Sequence, residues 1–246
     1  MEGGYNVVLY EGPGQPSVRR AQNIGFIYNW EDAVSPIVDY VETLPFVEKT
    51  KIALLGNSLG GFLAARAAAF EKRLAAVILI DGIYDLYTGI ATLVGPEVMN
   101  FEKAGDEEDF NEAIRKLMEK SANLRFLMNQ FSWAFMMTFY QVMQHLMKMT
   151  LRGLEDRTTC PVFIAGAEND IFDKLDQPGQ VKNALGDNAF LRRFTVQEGA
   201  EAHSHAGAIS FLNQIILSWL RKQLGTEELL TPNGANGREL NGASTA

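Results

Sequence analysis

KIALLGNSLGGFLAARAAAF, residues 51–70, decides the fold of this chain. An apolar run at 52–55 is followed by Gly56-Asn57-Ser58-Leu59-Gly60 and then by alanine-rich sequence that predicts a helix over 63–70. This order is the strand–turn–helix setting of a G-x-S-x-G nucleophile elbow. We expect small residues there because the backbone turns so tightly that larger side chains would collide. Ser58 is the predicted nucleophile, and the alternative is a serine that only caps the helix.

The helix that follows Ser58 suits negative charge at its start. The first backbone N–H groups of a helix have no acceptor within it, and the helix dipole favours an anion there. We therefore predict that the backbone amide of Leu59 is an oxyanion-hole donor.

Apolar runs elsewhere in the chain predict further strands. Four runs predict buried strands and a fifth, more polar one predicts an edge strand: 6–10, 52–55, 76–80, 162–165 and, at the edge, 191–196. Stretches with helical periodicity separate these runs, including one helix within 24–47 and another over 211–224. The alternation predicts an α/β fold, a mostly parallel sheet with helices on both faces.

One segment, 84–156, interrupts the alternation. It contains an acidic helix near Glu107–Lys120 and then a stretch rich in methionine and aromatic residues. We predict a helical insertion that covers the sheet as a lid. Trp133 and Phe135 are the predicted substrate-pocket residues, because methionine and aromatic side chains suit a flat apolar ligand. The alternative is that such residues at helical spacing form core.

Composition narrows the function classes. The chain has 246 residues, 47% of them hydrophobic, and a net charge of −8. No basic stripe is visible, so we expect neither a nucleic-acid partner nor binding to anionic membranes. Polar residues interrupt the apolar stretch 126–149, so we expect no membrane span. A single cysteine, Cys160, and no secretory signal after Met1 indicate a soluble cytoplasmic protein.

Domain organisation follows from the same patterns. We expect one catalytic domain over 1–225, which includes the insertion, and a disordered tail over 226–246, where periodicity is absent and glycine, asparagine and proline are frequent.

The candidate base and acid follow from their order along the chain. In nucleophile-elbow hydrolases the acid and then the histidine come after Ser, near the ends of the last strands. His203 and His205 stand between the last predicted strand and the last helix, so one of them is the predicted base. His145 lies in the methionine-rich segment and is read as a packing or pocket residue. Asp170 is the preferred acid.

Three other carboxylates remain candidates for the acid. Glu168 ranks second to Asp170, and Asp173 lies in the same turn after the predicted strand 162–165. Asp81 follows the strand before it, where some hydrolases of this fold carry the acid. The base needs a carboxylate to hold its tautomer and to stabilise its cation.

Several of these stretches together resemble one branch of the α/β-hydrolases. YEGPGQ, GNSLGG, RAAAFEKRLAAVILIDGIYD, AENDIF and GAEAHSHAGA resemble the FrsA-like and dihydroxypseudooxynicotine-hydrolase-like enzymes, with fungal polyketide (heptaketide pigment) hydrolases most similar. The resemblance covers roughly 4–224. It implies that Ser58 is the nucleophile, Asp170 the acid and His203, rather than His205, the base.

The resemblance also implies a gap. Relatives carry an N-terminal helical region, several strands and the loop of the second oxyanion donor upstream of the stretch matched by 6–10. We expect that donor strand to belong between strands 6–10 and 52–55, and its absence to leave unpaired backbone groups or a rearranged sheet.

The leading hypothesis is a serine hydrolase that cleaves an acyl or carbon–carbon bond of a hydrophobic, polyketide-like small molecule in fungal secondary metabolism. It would need no metal or organic cofactor, and a homodimer is compatible with it. The alternative is a non-hydrolytic or catalytically impaired relative, such as a cyclase, a dehydratase or a ligand binder, because the second oxyanion-donor strand is missing. A fragment that does not fold alone is the third hypothesis.

Overall fold

The computed structural model describes residues 4–226 and contains one four-stranded sheet. Its strands are β1 (Ala53–Asn57), β2 (Ala76–Ile80), β3 (Val162–Ala167) and β4 (Ala189–Phe194). They lie in this order, and every neighbouring pair is parallel. All four strands therefore end at the same edge of the sheet, which is where ligands bind in open α/β sheets.

Ten α-helices accompany the strands within residues 4–226. They are α1 (Pro16–Gln22), α2 (Glu31–Glu42), α3 (Leu59–Ala68), α4 (Leu86–Val94), α5 (Pro96–Ala104), α6 (Glu107–Lys120), α7 (Ala122–Phe135), α8 (Phe139–Leu146), α9 (Gln177–Leu185) and α10 (Ile209–Leu224). The predicted α/β fold is confirmed, and so are the acidic helix and the edge position of the last strand, which begins two residues earlier than predicted.

The hydrophobic core is divided by the sheet. Alternate residues of β2 point to opposite faces, so Val77 and Leu79 join one buried cluster and Ile78 joins the other. The first cluster includes α2, α3, α9 and the helices between β2 and β3; the second is covered by α10. Strands buried on both faces are continuous apolar runs, which explains why β2 and β3 were visible in the sequence.

The helix predicted within 24–47 is shorter than the apolar pattern suggested. It is α2, and it begins at Glu31, where acidic residues in the first turn suit the helix dipole. Before it, the backbone N–H of Phe26 donates to the carbonyl oxygen of Ala134 at 2.9 Å, so this segment is held by α7 instead. The helix ends before Pro45, a residue that disfavours helical backbone at the position preceding it.

Five helices, α4 to α8, occupy the chain between β2 and β3, and we call them the helical insertion. Side chains cap several of them: Asp85 at α4, Asp106 at α6, Ser121 at α7 and Thr138 at α8 each accept a backbone N–H of the first turn. Such caps contribute about 1 kcal/mol each. The insertion is therefore encoded by local signals as well as by its apolar residues.

The strand predicted at 6–10 is wrong. These residues are extended but pair with no strand among residues 4–226, and the side chain of Leu9 is 91% exposed. A groove of about 310 Å³ separates the segment from β1, lined on one side by Asn6 and Val8 and on the other by Ala53 and Leu54. An apolar run becomes a strand only where a neighbour can accept its backbone hydrogen bonds. β1 is consequently an edge strand, and Leu55 is 49% exposed.

Two other predictions concern the ends and apolar stretches of the chain. The tail predicted over 226–246 lies outside the described residues except for Thr226, whose N–H donates to the carbonyl oxygen of Arg221 at 3.0 Å. Within residues 4–226, every helix is too short or too polar to cross a lipid bilayer.

Candidate active site

Ser58 stands on a strained turn between β1 and α3. Its φ of 56° and ψ of −121° lie outside the regions that residues other than glycine usually occupy. The backbone N–H of Ser58 donates to the carbonyl oxygen of Ile80 at 2.9 Å, and its carbonyl oxygen accepts the N–H of Gly61 at 2.8 Å. These bonds hold the turn, and Leu59 opens α3 directly behind it, where its N–H has no acceptor within the helix.

The glycines of the turn are not equally constrained. A Cβ on Gly56 would overlap the backbone carbonyl of Gly60 and would lie 2.9 Å from the Cβ of Ala64. A Cβ on Gly61 would lie 2.8 Å from the carbonyl oxygen of Asp81. At Gly60, the last glycine of the motif, an added Cβ has no neighbour within 4 Å. The prediction that crowding excludes larger residues is confirmed at Gly56, and it is wrong at Gly60.

The three residues predicted as a catalytic triad lie together at the carboxyl edge of the sheet. The Ser58 Oγ is 2.8 Å from His203 Nε2, and His203 Nδ1 is 2.8 Å from Asp170 Oδ2. Asp170 follows β3, and His203 lies in a short 3₁₀ turn after β4. With the imidazole proton on Nδ1, the ring donates to the carboxylate and its Nε2 accepts the Ser58 hydroxyl.

Neighbouring groups fix both partners. The second oxygen of Asp170, Oδ1, accepts the backbone N–H of Phe172 at 2.8 Å. The Phe172 ring meets the His203 ring edge to face, with centroids 4.8 Å apart. The carboxylate and the imidazole are therefore held in orientation by contacts that do not involve Ser58.

The alternative candidates have other partners. Glu168 accepts the N–H of Val196 at 2.8 Å, and Asp173 accepts the N–H of Gln177 at the start of α9. His205 is fully buried and its Nδ1 is 2.7 Å from the carbonyl oxygen of Ala200. These three side chains support loops. His145 packs between the rings of Tyr28 and Phe135, as expected of a packing residue.

The electrostatics of the site favour a charged imidazole. Burial lowers the pKa of His203, but the hydrogen bond that the ring donates to Asp170 and the charges of Asp81 and Asp170 outweigh burial, so the pKa lies above its usual value. The Asp81 Oδ2 is 3.2 Å from His203 Nδ1. Asp81, Asp170 and His203 bring potential metal-ligand atoms within 4.8 Å of one another, and those of Asp170 and His203 are joined by their mutual hydrogen bond.

A cavity of about 340 Å³ opens beside Ser58 and His203. Its walls are largely apolar, formed by the side chains of Leu59, Leu86, Ile90, Phe126, Leu127 and Phe131. This volume is at the lower end of the range typical of small-molecule pockets.

Neither Trp133 nor Phe135, the predicted pocket residues, lines this cavity. Phe135 is buried against Phe26 and Phe131, and the Arg19 and Arg20 guanidinium groups lie over the Trp133 ring, 5.4 Å from its centroid. The pocket takes residues of α7 from one to two turns earlier. α7 carries apolar side chains around most of its circumference, so the sequence did not indicate which of them meet the cavity.

Sequence reasoning also missed Gln177. Its side chain is buried, its Oε1 accepts the N–H groups of Tyr84 and Asp85 at 2.9 Å, and its Nε2 donates to the Asp85 carbonyl at 2.8 Å. Gln177 thus joins the start of the helical insertion to α9 at the pocket wall. A single glutamine leaves no pattern from which such a role is predictable.

Comparisons with known proteins identify the family and the fold of the chain. The model of a family described as the alpha/beta hydrolase family matches residues 2–209. The hydrolyase poxO of Penicillium oxalicum is 30% identical over 90% of this chain and 57% of its own length. The 20-hydroxy-prefusarin hydrolase FUS2 of Gibberella moniliformis is 26% identical over 88% of this chain and 55% of its own length. The chain thus spans a little over half the length of these relatives.

A solved structure shows the same fold. The crystal structure of 2,6-dihydroxy-pseudo-oxynicotine hydrolase superimposes with a TM-score of 0.60 at 22% identity, and the match covers 87% of this chain and 51% of the other. The resemblance inferred from the sequence motifs, including its fungal relatives, is confirmed by these comparisons.

Proposed function

The chain belongs to the alpha/beta hydrolase family, and we propose that it is a serine hydrolase of hydrophobic small molecules that carry no negative charge. The observation that carries the proposal is the pair of 2.8 Å contacts that join Ser58, His203 and Asp170 beside an apolar cavity. A serine hydroxyl becomes a competent nucleophile when an oriented imidazole accepts its proton.

The proposed reaction has two halves. The Ser58 Oγ attacks a substrate carbonyl, its proton passes to His203 Nε2, and the Leu59 N–H stabilises the oxyanion. Asp170 holds the imidazole and stabilises its cation. The imidazolium then protonates the leaving group, and a water molecule, activated by the same ring, hydrolyses the acyl-enzyme. Every proton in this scheme moves between the substrate, water and the named side chains.

The substrate class follows from the cavity and the relatives. Apolar walls favour hydrophobic substrates, and the relatives include a fungal hydrolase named for 20-hydroxy-prefusarin. We propose a polyketide-like substrate from fungal secondary metabolism, and a bond that is either an acyl bond or the carbon–carbon bond next to a ketone. Both bonds break by attack on a carbonyl carbon.

Covalent labelling tests the nucleophile. A fluorophosphonate probe should label the wild-type protein within minutes at Ser58, because the probe reacts rapidly only with an activated serine. Mass spectrometry of the labelled peptide identifies the residue. Labelling that is as slow as that of a denatured sample would favour the alternative, a non-hydrolytic cyclase, dehydratase or ligand binder.

Charge selectivity is expected from the pocket wall. Four carboxylates line the cavity, those of Asp81, Asp85, Asp170 and Asp173, whereas none of the lysines and arginines among residues 4–226 lines it. An anionic acyl group would lose water and face these acids, which is unfavourable. We expect 4-nitrophenyl butyrate to be hydrolysed with a kcat/KM about 10- to 100-fold higher than the mono-4-nitrophenyl ester of succinic acid, a difference of about 1–3 kcal/mol. Equal rates would contradict the charge argument while leaving the nucleophile untouched.

A further inference from the structure

His203 Nδ1 faces two carboxylates, whereas the proposed reaction uses one. Asp170 Oδ2 is 2.8 Å from Nδ1, and Asp81 Oδ2 is 3.2 Å from the same nitrogen. Both acids are buried. A nitrogen with one proton cannot make two strong hydrogen bonds at once, so the role of the second carboxylate requires an explanation of its own.

Backbone contacts with β3 and α3 fix the position of Asp81. Asp81 follows the last residue of β2 with a φ of 59°, in the left-handed region that aspartate and asparagine occupy more readily than other residues with a side chain. Its N–H donates to the carbonyl oxygen of Ala165 at 2.9 Å, and its own carbonyl lies so close to the start of α3 that a Cβ on Gly61 would approach it to 2.8 Å. The packing of β3 and α3 therefore imposes the conformation that aims this carboxylate at His203.

Asp81 also holds the turn that carries the imidazole. Its Oδ2 accepts the backbone N–H of Ser204 at 2.7 Å and the Ser204 hydroxyl at 3.0 Å. Its other oxygen, Oδ1, is buried and has no hydrogen-bond partner within residues 4–226. A buried polar atom without a partner costs about 1–3 kcal/mol. A site that needed only the Ser204 contacts could use an uncharged side chain at lower cost.

The charged groups around Asp81 couple its ionisation to that of the imidazole. Burial raises the pKa of Asp81, and the negative charge of Asp170 raises it further. The charge of His203, the hydrogen bond from Ser204 and the charge of His205 act in the opposite direction. Asp81 is consequently stabilised as an anion most when His203 is an imidazolium, which is its state in the transition state of the proposed reaction.

We propose that Asp81 is a second positioning acid of this site. Its contacts with Ser204 fix the turn that carries His203. Together with Asp170 it holds the proton on Nδ1 and stabilises the imidazolium. It still stabilises the imidazolium when Asp170 is replaced by an uncharged residue. The proposal rests on the proposed serine hydrolase function.

A double-mutant cycle on the two acids tests it. An enzyme with a single acid behind its histidine loses about 10⁴-fold in kcat when that acid becomes asparagine. Because Asp81 remains beside Nδ1, Asp170→Asn should cost only about 10²-fold in kcat/KM, and Asp81→Asn about 10-fold. The double variant should lose at least about 10⁴-fold, more than the product of the two single losses.

The variants are chosen to preserve the fold. Asparagine tolerates a positive φ better than most residues, and its side-chain oxygen can still accept both Ser204 donors, so Asp81→Asn removes charge and little else. If that variant does not fold in a thermal melt, Asp170→Asn alone decides, because Asp81 is intact in it. A 10⁴-fold loss in Asp170→Asn by itself would overturn the proposal, because an intact Asp81 should limit that loss to about 10²-fold.

The pH profile separates a charge role from mere support of the turn. The acidic limb of kcat/KM follows the His203 pKa in the free enzyme, and each carboxylate raises that pKa by favouring the cation. Removing the Asp81 charge should therefore move the limb to lower pH, by about 0.5–1 unit. Ser204→Ala is the matched control, since it deletes one hydrogen bond to Asp81 and leaves the charge, so its limb should stay in place. A limb that Asp81→Asn does not move would also overturn the proposal.

Failure of this inference is distinguishable from failure of the proposed function. If the wild-type protein reacts with a fluorophosphonate at Ser58 but Asp170→Asn loses about 10⁴-fold in activity, only the proposed role of Asp81 is contradicted. If Ser58 is not labelled at all, the serine hydrolase function itself is contradicted.

Discussion

Replacing Ser58 by alanine should lower kcat/KM for a 4-nitrophenyl ester on the order of 10⁶-fold, to the level that binding and the oxyanion donor alone provide. The reason is that the Oγ is the atom 2.8 Å from His203 Nε2, so its removal leaves the base without a nucleophile to activate. The backbone bond from Ser58 N–H to Ile80 does not involve the side chain, and the fold should persist. Steady-state kinetics with circular dichroism measures both.

An exposed serine supplies the matched control. Ser210 lies in the first turn of α10 with its side chain in solvent, so Ser210→Ala should retain wild-type kcat/KM and label normally with a fluorophosphonate. A Ser58→Ala protein that keeps more than a tenth of wild-type activity would contradict the proposed mechanism, because no covalent intermediate could then form at this residue.

The sequence predicted the meeting of Ser58, Asp170 and His203 because the order of their elements is enough to place them. Each follows the end of a parallel strand, and parallel strands bring those ends to one edge. Strand β2 was predicted at its observed bounds, since five consecutive apolar residues, buried on both faces, leave little ambiguity. Local sequence patterns were sufficient to predict an element where all of its residues are buried alike.

The failures share a different cause, which is dependence on distant neighbours. The run 6–10 has the composition of a strand, but the groove beside β1 leaves it without a partner. Phe135 has the chemistry of a pocket residue, but its contacts with Phe26 and Phe131 bury it away from the cavity. Asp170 was the preferred acid and Asp81 a further candidate, and in the structure both carboxylates lie within 3.2 Å of His203 Nδ1. The residue type limits the contacts that a side chain can make, and the tertiary packing determines which of them it makes.

Gly56→Ala should destabilise the native elbow and the fold that depends on it. The new methyl group would overlap the Gly60 carbonyl, which is backbone and has no rotamer by which to move aside, and it would press on Ala64 in the buried helix α3. Inserting a methylene into a well-packed core usually costs about 1–3 kcal/mol, and an overlap with backbone should cost at least the upper figure. For a domain of this size that corresponds to a fall in Tm of about 6–12 °C or to insoluble protein. A thermal melt followed by circular dichroism measures the effect.

Gly60→Ala is the matched comparison, with the same chemical change four residues away. An added Cβ there has no neighbour within 4 Å, and Gly60 lies in the first turn of α3, where alanine is up to about 1 kcal/mol more favourable than glycine. We therefore expect a Tm equal to that of the wild-type protein or a few degrees higher, although both glycines belong to the same motif. If the two variants melt alike, close packing of β1 against α3 is not what requires glycine in this turn. A large difference in the expected direction would mean that Gly56 preserves the elbow by steric necessity and that Gly60 does not.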